Sequence, residues 1–170
     1  MQKQGFAIRP RTHYHVELRD RSGKLKWEDD FHNVVTVEGM NHIIDATFKA
    51  GGSSPEWYIG LVDGAEEQVY AAEDTMAAHA GWTEHVDYSE EERQVFTPGE
   101  IAEGAVDNSG DRAAFTITAD GTVAGCFLTT DKVKEATDGV LHGVGAFSGG
   151  VRPVEIGDTL RVTTTVSVEE

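Results

Sequence analysis

The stretch Ala114-Phe115-Thr116-Ile117-Thr118-Ala119-Asp120-Gly121-Thr122-Val123-Ala124-Gly125-Cys126-Phe127-Leu128 decides the class of fold. Polar and apolar residues alternate before Asp120-Gly121, and a mostly apolar run follows it. Both turn residues tolerate the positive φ angles of a tight turn, so the pattern predicts a β-hairpin. Strand patterns recur in residues 140–147 and 159–168, and the turn Ser148-Gly149-Gly150 lies between them. The chain is therefore expected to be mainly β.

A second hairpin is predicted in residues 13–35, with its turn at Arg21-Ser22-Gly23-Lys24. Pairing Asp20 with Leu25 gathers the apolar side chains on one face, which is interrupted mainly by Asp29. The other face is polar, as in an antiparallel sheet with one side in water. Across the hairpin this register pairs the following residues: Leu18 with Trp27, Tyr14 with Phe31, His15 with Asp30, and His13 with His32.

The period of the pattern changes after Thr36, which is a suitable N-cap. Apolar side chains then recur at helical spacing, and Gly51-Gly52 is a suitable helix end. We predict one main α-helix from about Val37 to Lys49, with an apolar stripe that covers an end or face of the sheet. A short helix is also predicted from Thr75 to His79, with Asp74 as its N-cap. The stripe of the main helix consists of Met40, Ile43, Ile44, Thr47 and Phe48.

These signals predict a mainly β fold, a sandwich or jelly-roll-like barrel with one main α-helix. Residues 57–62 are expected to add a buried strand to it. Residues 12–170 are expected to form a single β-rich domain. Residues 1–11 are predicted to be an N-terminal arm, because the segment is basic and lacks a strand pattern. The weakly patterned residues 82–111 predict loops that contact partners.

The charge balance restricts the classes of partner. The 170 residues include 30 acidic and 14 basic side chains, which gives a formal net charge of -16. Such a charge repels DNA and anionic lipid, so we expect no direct nucleic-acid binding and no membrane binding. No stretch is apolar enough for a membrane span or a secretory signal. We expect a soluble protein synthesised in a host cytoplasm.

Motifs of common enzyme classes are missing from the sequence. It contains no Gly-x-Ser-x-Gly elbow, no His-Glu-x-x-His helix, no P-loop and no dinucleotide fingerprint. Cys126 is the single cysteine and is expected to be a buried, inert thiol. Asp107-Asn108-Ser109-Gly110-Asp111 predicts an Asx-rich turn rather than a calcium loop. We therefore predict that the protein is not an enzyme and uses no cofactor.

Histidines and a carboxylate share the polar face of the first predicted hairpin. Imidazole and carboxylate groups are ligands for zinc and other transition metals. A metal site also needs converging ligands and outer partners that orient them, which an open two-stranded face rarely supplies. We therefore expect no metal, and keep four residues as metal-ligand candidates: His13, His15, Asp30 and His32.

Six stretches spread over most of the chain combine aromatic core positions with glycine turns. They are residues 27–33 (WEDDFHN), 39–45 (GMNHIID), 57–63 (WYIGLVD), 74–84 (DTMAAHAGWTE), 145–150 (GAFSGG) and 157–163 (GDTLRVT). Together they resemble a family of small virion proteins of tailed bacteriophages, commonly found beside the major capsid gene. The matching positions are core and turn patterns and include no catalytic motif.

The resemblance implies a structural role, that of a head decoration or cement protein. Such a protein binds the outer surface of the assembled virion head and stabilises it by bridging coat subunits. The resemblance also implies the major capsid protein as partner and, because capsid lattices have local three-fold positions, a homotrimer. Arg9 and Arg11, in the basic segment 2–11, are the residues that we expect to contact an acidic coat-protein surface.

Two alternative functions remain open from the sequence. A phage tail or receptor-binding component has similar β-rich elements, and would direct exposed loops at a host surface. A metal-dependent enzyme would require the histidine-rich face of the first hairpin, with metal bound to it.

Overall fold

The computed structural model describes residues 9–49 and 55–169, which form two antiparallel β-sheets and one helix. Of the described residues, 46% lie in strands and 8% in the helix, which confirms the predicted mainly β class and supports a β-sandwich-like fold. The helix α1 is Val37–Phe48. The strands are β1 (Arg9–Arg19), β2 (Leu25–His32), β3 (Val34–Val35), β4 (Tyr58–Asp63), β5 (Glu84–His85), β6 (Gln94–Val95), β7 (Ala105–Asp107), β8 (Ala113–Thr116), β9 (Gly121–Thr129), β10 (Leu141–Ala146), β11 (Arg152–Val154) and β12 (Thr159–Glu169).

The first sheet has the strand order β2-β1-β12-β7, with β8 paired to another part of β12. Burial alternates along β1, so this sheet has one face in the core and one polar face. The second sheet has the order β3-β10-β9-β4-β5, with β11 paired to β9 and β6 to β4. Its central strands are buried along most of their length, which requires cover on both faces.

Two apolar clusters explain this difference between the sheets. The main cluster joins the inner faces of both sheets, with residues such as Tyr14, Leu18, Phe115 and Leu128. A smaller cluster covers the opposite face of the second sheet. It packs side chains from the loop after β4 against β4, β9 and β10, and comprises Val62, Met76, Trp82, Ala124, Phe127, Leu141 and Val144.

The predicted register of the first hairpin is confirmed over most of its length. Tyr14 lies opposite Phe31, and Leu18 opposite Trp27. The register shifts after Leu18, so that Leu25 pairs with Arg19 and not with Asp20. Alternation fixes this pairing, because a slip of one residue would move every apolar side chain to the solvent face.

Asp29 interrupts the apolar pattern of β2, and its side chain is 1% exposed. Its Oδ1 accepts hydrogen bonds from the Ser148 hydroxyl at 2.6 Å and the Ser148 N–H at 3.0 Å. Its Oδ2 accepts from the Gly149 N–H at 2.9 Å and from Arg152 at 3.2 Å. Burial opposes ionisation of this carboxyl, but these hydrogen bonds outweigh it and lower the pKa of Asp29. The first sheet is thereby attached to the turn that follows β10 in the second sheet.

The predicted hairpin across Asp120-Gly121 is wrong. Strand β8 pairs with β12 in the first sheet, whereas β9 pairs with β4, β10 and β11 in the second. Gly121 does not adopt a positive φ angle. The chain instead crosses between the sheets, where Ile117 exchanges backbone hydrogen bonds with Gly157 and Asp158. Turn chemistry permitted a hairpin, but pairing with distant strands prevailed.

Two further local predictions are corrected. Residues 9–11 of the predicted arm belong to β1, where they pair with β12; residues 1–8 lie outside the described residues. The predicted helix from Thr75 to His79 is a turn closed by a Thr75–Ala78 bridge. Asp74, its predicted N-cap, instead accepts hydrogen bonds from the Ala71 N–H and the Trp82 indole, both at 3.0 Å.

No helix within the described ranges is both long and apolar enough to cross a membrane.

Replacing Asp29 with Asn should destabilise the protein by about 2 kcal/mol, because the charge-assisted hydrogen bonds of this buried carboxylate are lost. Urea unfolding of the variant and the unmodified protein measures the difference. The matched control is Asp30→Asn, one residue away on the exposed face, which should change stability by less than about 0.5 kcal/mol. Equal effects of the two substitutions would contradict the role assigned to Asp29.

Candidate functional site

Helix α1 begins as the sequence predicts and lies against β10. Thr36 is its N-cap, with the Thr36 hydroxyl accepting a hydrogen bond from the Gly39 N–H at 3.0 Å. The same hydroxyl donates to the Leu141 carbonyl of β10, and the Glu38 carboxylate accepts from the Leu141 N–H at 2.8 Å. The helix ends at Phe48, within one residue of the predicted Lys49. The predicted stop at Gly51-Gly52 lies outside the described residues.

The helix is held to the sheet by its N-terminal half. Gly39 is its buried residue, and a Cβ there would lie 2.4 Å from the His142 carbonyl oxygen, so a larger residue would push the helix away from β10. The Trp57 ring meets His42 of the helix and His142 of the strand edge-on, with centroid distances of 5.3 and 5.6 Å. Polar caps and one aromatic contact therefore fix the helix without burying its apolar stripe.

The prediction that the helical stripe covers the sheet is wrong for four of its five residues, since Ile43 is half-buried but the others are exposed. Ile44 is 55% exposed and Phe48 is 77% exposed, and Val37 and Met40 are also exposed. These four residues recur at helical spacing and so share one side of the helix, which we call the α1 apolar face. Side chains of this kind normally cover apolar surface, so the α1 apolar face is a candidate interaction surface.

The four metal-ligand candidates lie where the register predicted, on the polar face of the first sheet. Asp30 bridges two of the histidines, with its Oδ1 3.1 Å from His13 Nε2 and its Oδ2 3.2 Å from His15 Nδ1. The His32 ring lies beside His13, with a centroid distance of 5.1 Å.

Two carboxylates on the same face were not among the predicted metal-ligand candidates. Glu17 lies opposite Glu28 in the register, next to the His15–Asp30 pair. Glu17 Oε1 is 3.5 Å from His15 Nε2, and its Oε2 is 3.1 Å from Arg19. Alternation already placed both glutamates on this face; the missing information was how closely they approach His15.

Electrostatics on this face favour the ionised states of Glu17 and His15. Burial opposes ionisation of Glu17, but Arg19, Arg112 and His15 outweigh it and lower the pKa of the carboxyl. Burial likewise opposes protonation of His15, but its bonds to Asp30 and Glu17 raise the pKa of the imidazole. The face is thus a network of charged groups with partial exposure to solvent.

Arg9 and Arg11 are exposed on the same side of β1 as these histidines. They extend the polar face to the N-terminal end of β1, where Arg9 pairs in register with Glu169 of β12. Both residues belong to a strand that is paired with β12, not to a separate arm. The sheet therefore fixes the direction in which both residues point.

The loops between β4 and β10 surround a cavity of about 220 Å³. Buried Arg93 forms two hydrogen bonds of 2.8 and 2.9 Å with the Glu84 carboxylate at its wall. The same guanidinium donates to the Asp131 and Ala136 carbonyls, so it ties three loop segments together. Arg93 and Glu84 neutralise each other at this wall, and we assign the cavity to loop organisation.

Two other predicted sites have structural explanations. Cys126 is fully buried, and burial raises the pKa of its thiol well above the ordinary value. The Asp107 carboxylate accepts a hydrogen bond from the Ser109 N–H, which is the predicted Asx turn. Asn108 is buried and accepts from the Thr164 N–H of β12 at 2.7 Å. Both segments therefore serve the fold.

The sequence matches no protein-family model and no curated protein. The likeness to phage virion proteins therefore remains an expectation drawn from the residues themselves. Two residues of the stretches that carry this likeness form hydrogen bonds within the fold. Asp29 accepts one from the Ser148 hydroxyl, and Asp74 accepts one from the Trp82 indole.

Acidification should weaken the packing of helix α1 against β10. Burial, with a smaller effect of nearby His42, lowers the pKa of His142 to about 4 from an ordinary 6.5. Between these pH values the unfolded chain binds a proton that the folded chain resists. The free energy of unfolding should therefore have its full value above pH 6.5 and should fall by on the order of 3 kcal/mol as the pH approaches 4.

Urea unfolding across this pH window tests the effect, with His142→Gln as the comparison. The variant should lose less stability on acidification, because it lacks the buried imidazole. The contribution of His15, which lies on the other sheet, is present in both proteins and cancels in the difference. Identical slopes for the two proteins would rule out His142 as the acid-sensitive group.

Proposed function

We propose that this chain is a head decoration protein of a tailed bacteriophage, which binds the outside of the head and bridges neighbouring coat subunits. The α1 apolar face is the observation that carries the proposal. It presents exposed apolar side chains at helical spacing on a β-sandwich-like domain. A protein whose task is adhesion requires such a contact surface and no reaction chemistry.

Charge favours the coat protein over a second copy as the occupant of this face. Asp45, beside Ile44, is ion-paired with Lys49 at 3.0 Å, and the chain as a whole carries a net charge of -16. Two copies that met through this face would bring like charges together, whereas a coat-protein groove with a basic rim would attract it. We propose that the homotrimer forms through other surfaces and leaves the three helices free to contact the coat.

A second contact is proposed at the N-terminal end of β1. Arg9 and Arg11 project from the sheet and would meet acidic coat-protein surface, as the resemblance implies. Acidity of the rest of the chain fits the outside of the head, because packaged DNA would repel an acidic protein from the inside. Many copies, each with a modest interface, would together resist opening of the seams between capsomers.

Particles with and without this protein should differ in heat resistance. We expect image reconstructions to place the chain outside the head, at local three-fold positions. Particles that lack it should release DNA at lower temperature, because fewer contacts hold the seams. Density on the tail would instead support the tail-component alternative, and equal heat resistance would contradict the cement role.

The double substitution Ile44→Ser with Phe48→Ser should reduce binding to particles that lack the protein by at least about tenfold, because it removes buried apolar area from the contact. Co-sedimentation measures the affinity. Ile156→Ser is the matched control, since Ile156 is 53% exposed, close to Ile44, and lies outside both the α1 apolar face and the loops of residues 82–111.

Light scattering and unfolding of these variants separate the possible causes. We expect unchanged mass and stability, because the substituted side chains are exposed. If the double variant binds as well as the unmodified protein, the helix is not the coat contact. Dissociation of the oligomer in this variant alone would assign the α1 apolar face to contacts between copies.

A further inference from the structure

Three metal-ligating groups converge on the polar face of the first sheet. One ligand atom from each of His15, Glu17 and Glu28 can be chosen so that all three lie within 4.8 Å of one another. His15 Nε2 and Glu17 Oε1 are 3.5 Å apart. A tetrahedral zinc ion with ordinary bond lengths separates two of its ligand atoms by about 3.4 Å. The closest pair therefore already has the spacing of two ligands of one ion.

The strand register supplies a reason for a cation at this position. Glu17 and Glu28 lie directly opposite each other on β1 and β2. Like charges in facing positions destabilise a sheet. Arg19 and Arg112 lie near Glu17 Oε2, and the Glu28 side chain is exposed. A divalent ion between the two carboxylates would turn this repulsion into attraction.

Outer contacts already orient the ligand atoms. His15 Nδ1 is 3.2 Å from the Asp30 carboxylate, an arrangement that places a proton on Nδ1 and leaves Nε2 as the ligand. Arg19 and Arg112 both contact Glu17 Oε2, at 3.1 and 3.4 Å, and leave Oε1 directed at His15. These are the orienting partners that the sequence analysis did not expect on an open hairpin.

We propose that this face binds a divalent transition-metal ion such as zinc through His15 Nε2, Glu17 Oε1 and the Glu28 carboxylate, with water completing the coordination. One imidazole with two carboxylates suits zinc or manganese better than calcium, which prefers oxygen ligands alone. The ion would join β1 to β2 and stabilise the first hairpin. The site does not depend on the proposed capsid role.

Isothermal titration of the full-length protein with zinc chloride tests the site, after chelator treatment and at mildly alkaline pH, where imidazole is neutral. We expect one ion per chain and an increase in Tm with zinc, because the ion binds the folded state. His15→Gln and Glu28→Gln should each weaken binding at least tenfold and abolish the Tm increase. Both side chains are at least partly exposed, so both variants should fold.

The matched control is His32→Gln, which removes an imidazole from the same face but no ligand of the proposed site. It should bind zinc as the unmodified protein does. Loss of binding in this variant would overturn the proposed ligand set in favour of the His13–His32 end of the face. Absence of saturable binding, or binding unaffected by His15→Gln, would overturn the site altogether.

Discussion

The hydrogen bonds of the Asp29 carboxylate are the constraint on which the two-sheet arrangement depends. Apolar packing between the sheets is non-directional and tolerates small sliding movements. Asp29 lies on the first sheet, whereas its donors Ser148 and Gly149 lie on the turn after β10 and Arg152 begins β11. Removal of the buried carboxylate would break these hydrogen bonds between the two sheets, so this contact specifies one alignment of the sheets.

Sequence patterns predicted the elements of the fold better than their partners. Alternation and a compact turn fixed the β1–β2 register, because both signals are local. The hairpin predicted at Asp120-Gly121 is wrong because the turn residues permit a reversal of the chain but do not determine which strands pair. The stripe of α1 was recognised, but an amphipathic pattern does not say whether its apolar side lies inside the same chain.

The candidate sites were predictable to a similar extent. The register placed His15 and Asp30 together because they face each other across one hairpin. The contribution of Arg112 was out of reach, since it belongs to a loop far along the chain and meets Glu17 only in the folded protein. The exposure of Phe48 could likewise not be predicted from the sequence, because it depends on how the helix packs against β10 at Gly39.

Pairing of β1 with β12 has a consequence for how the protein is made. Residues 9–19 of the nascent chain emerge from the ribosome well before the strand that lies beside them, at 159–169. Until then β1 has only β2 as a neighbour, and a lone two-stranded hairpin is marginally stable in water. Its apolar side chains must therefore stay exposed or be shielded until residues 159–169 have been synthesised, which makes this interval a stage vulnerable to misassembly.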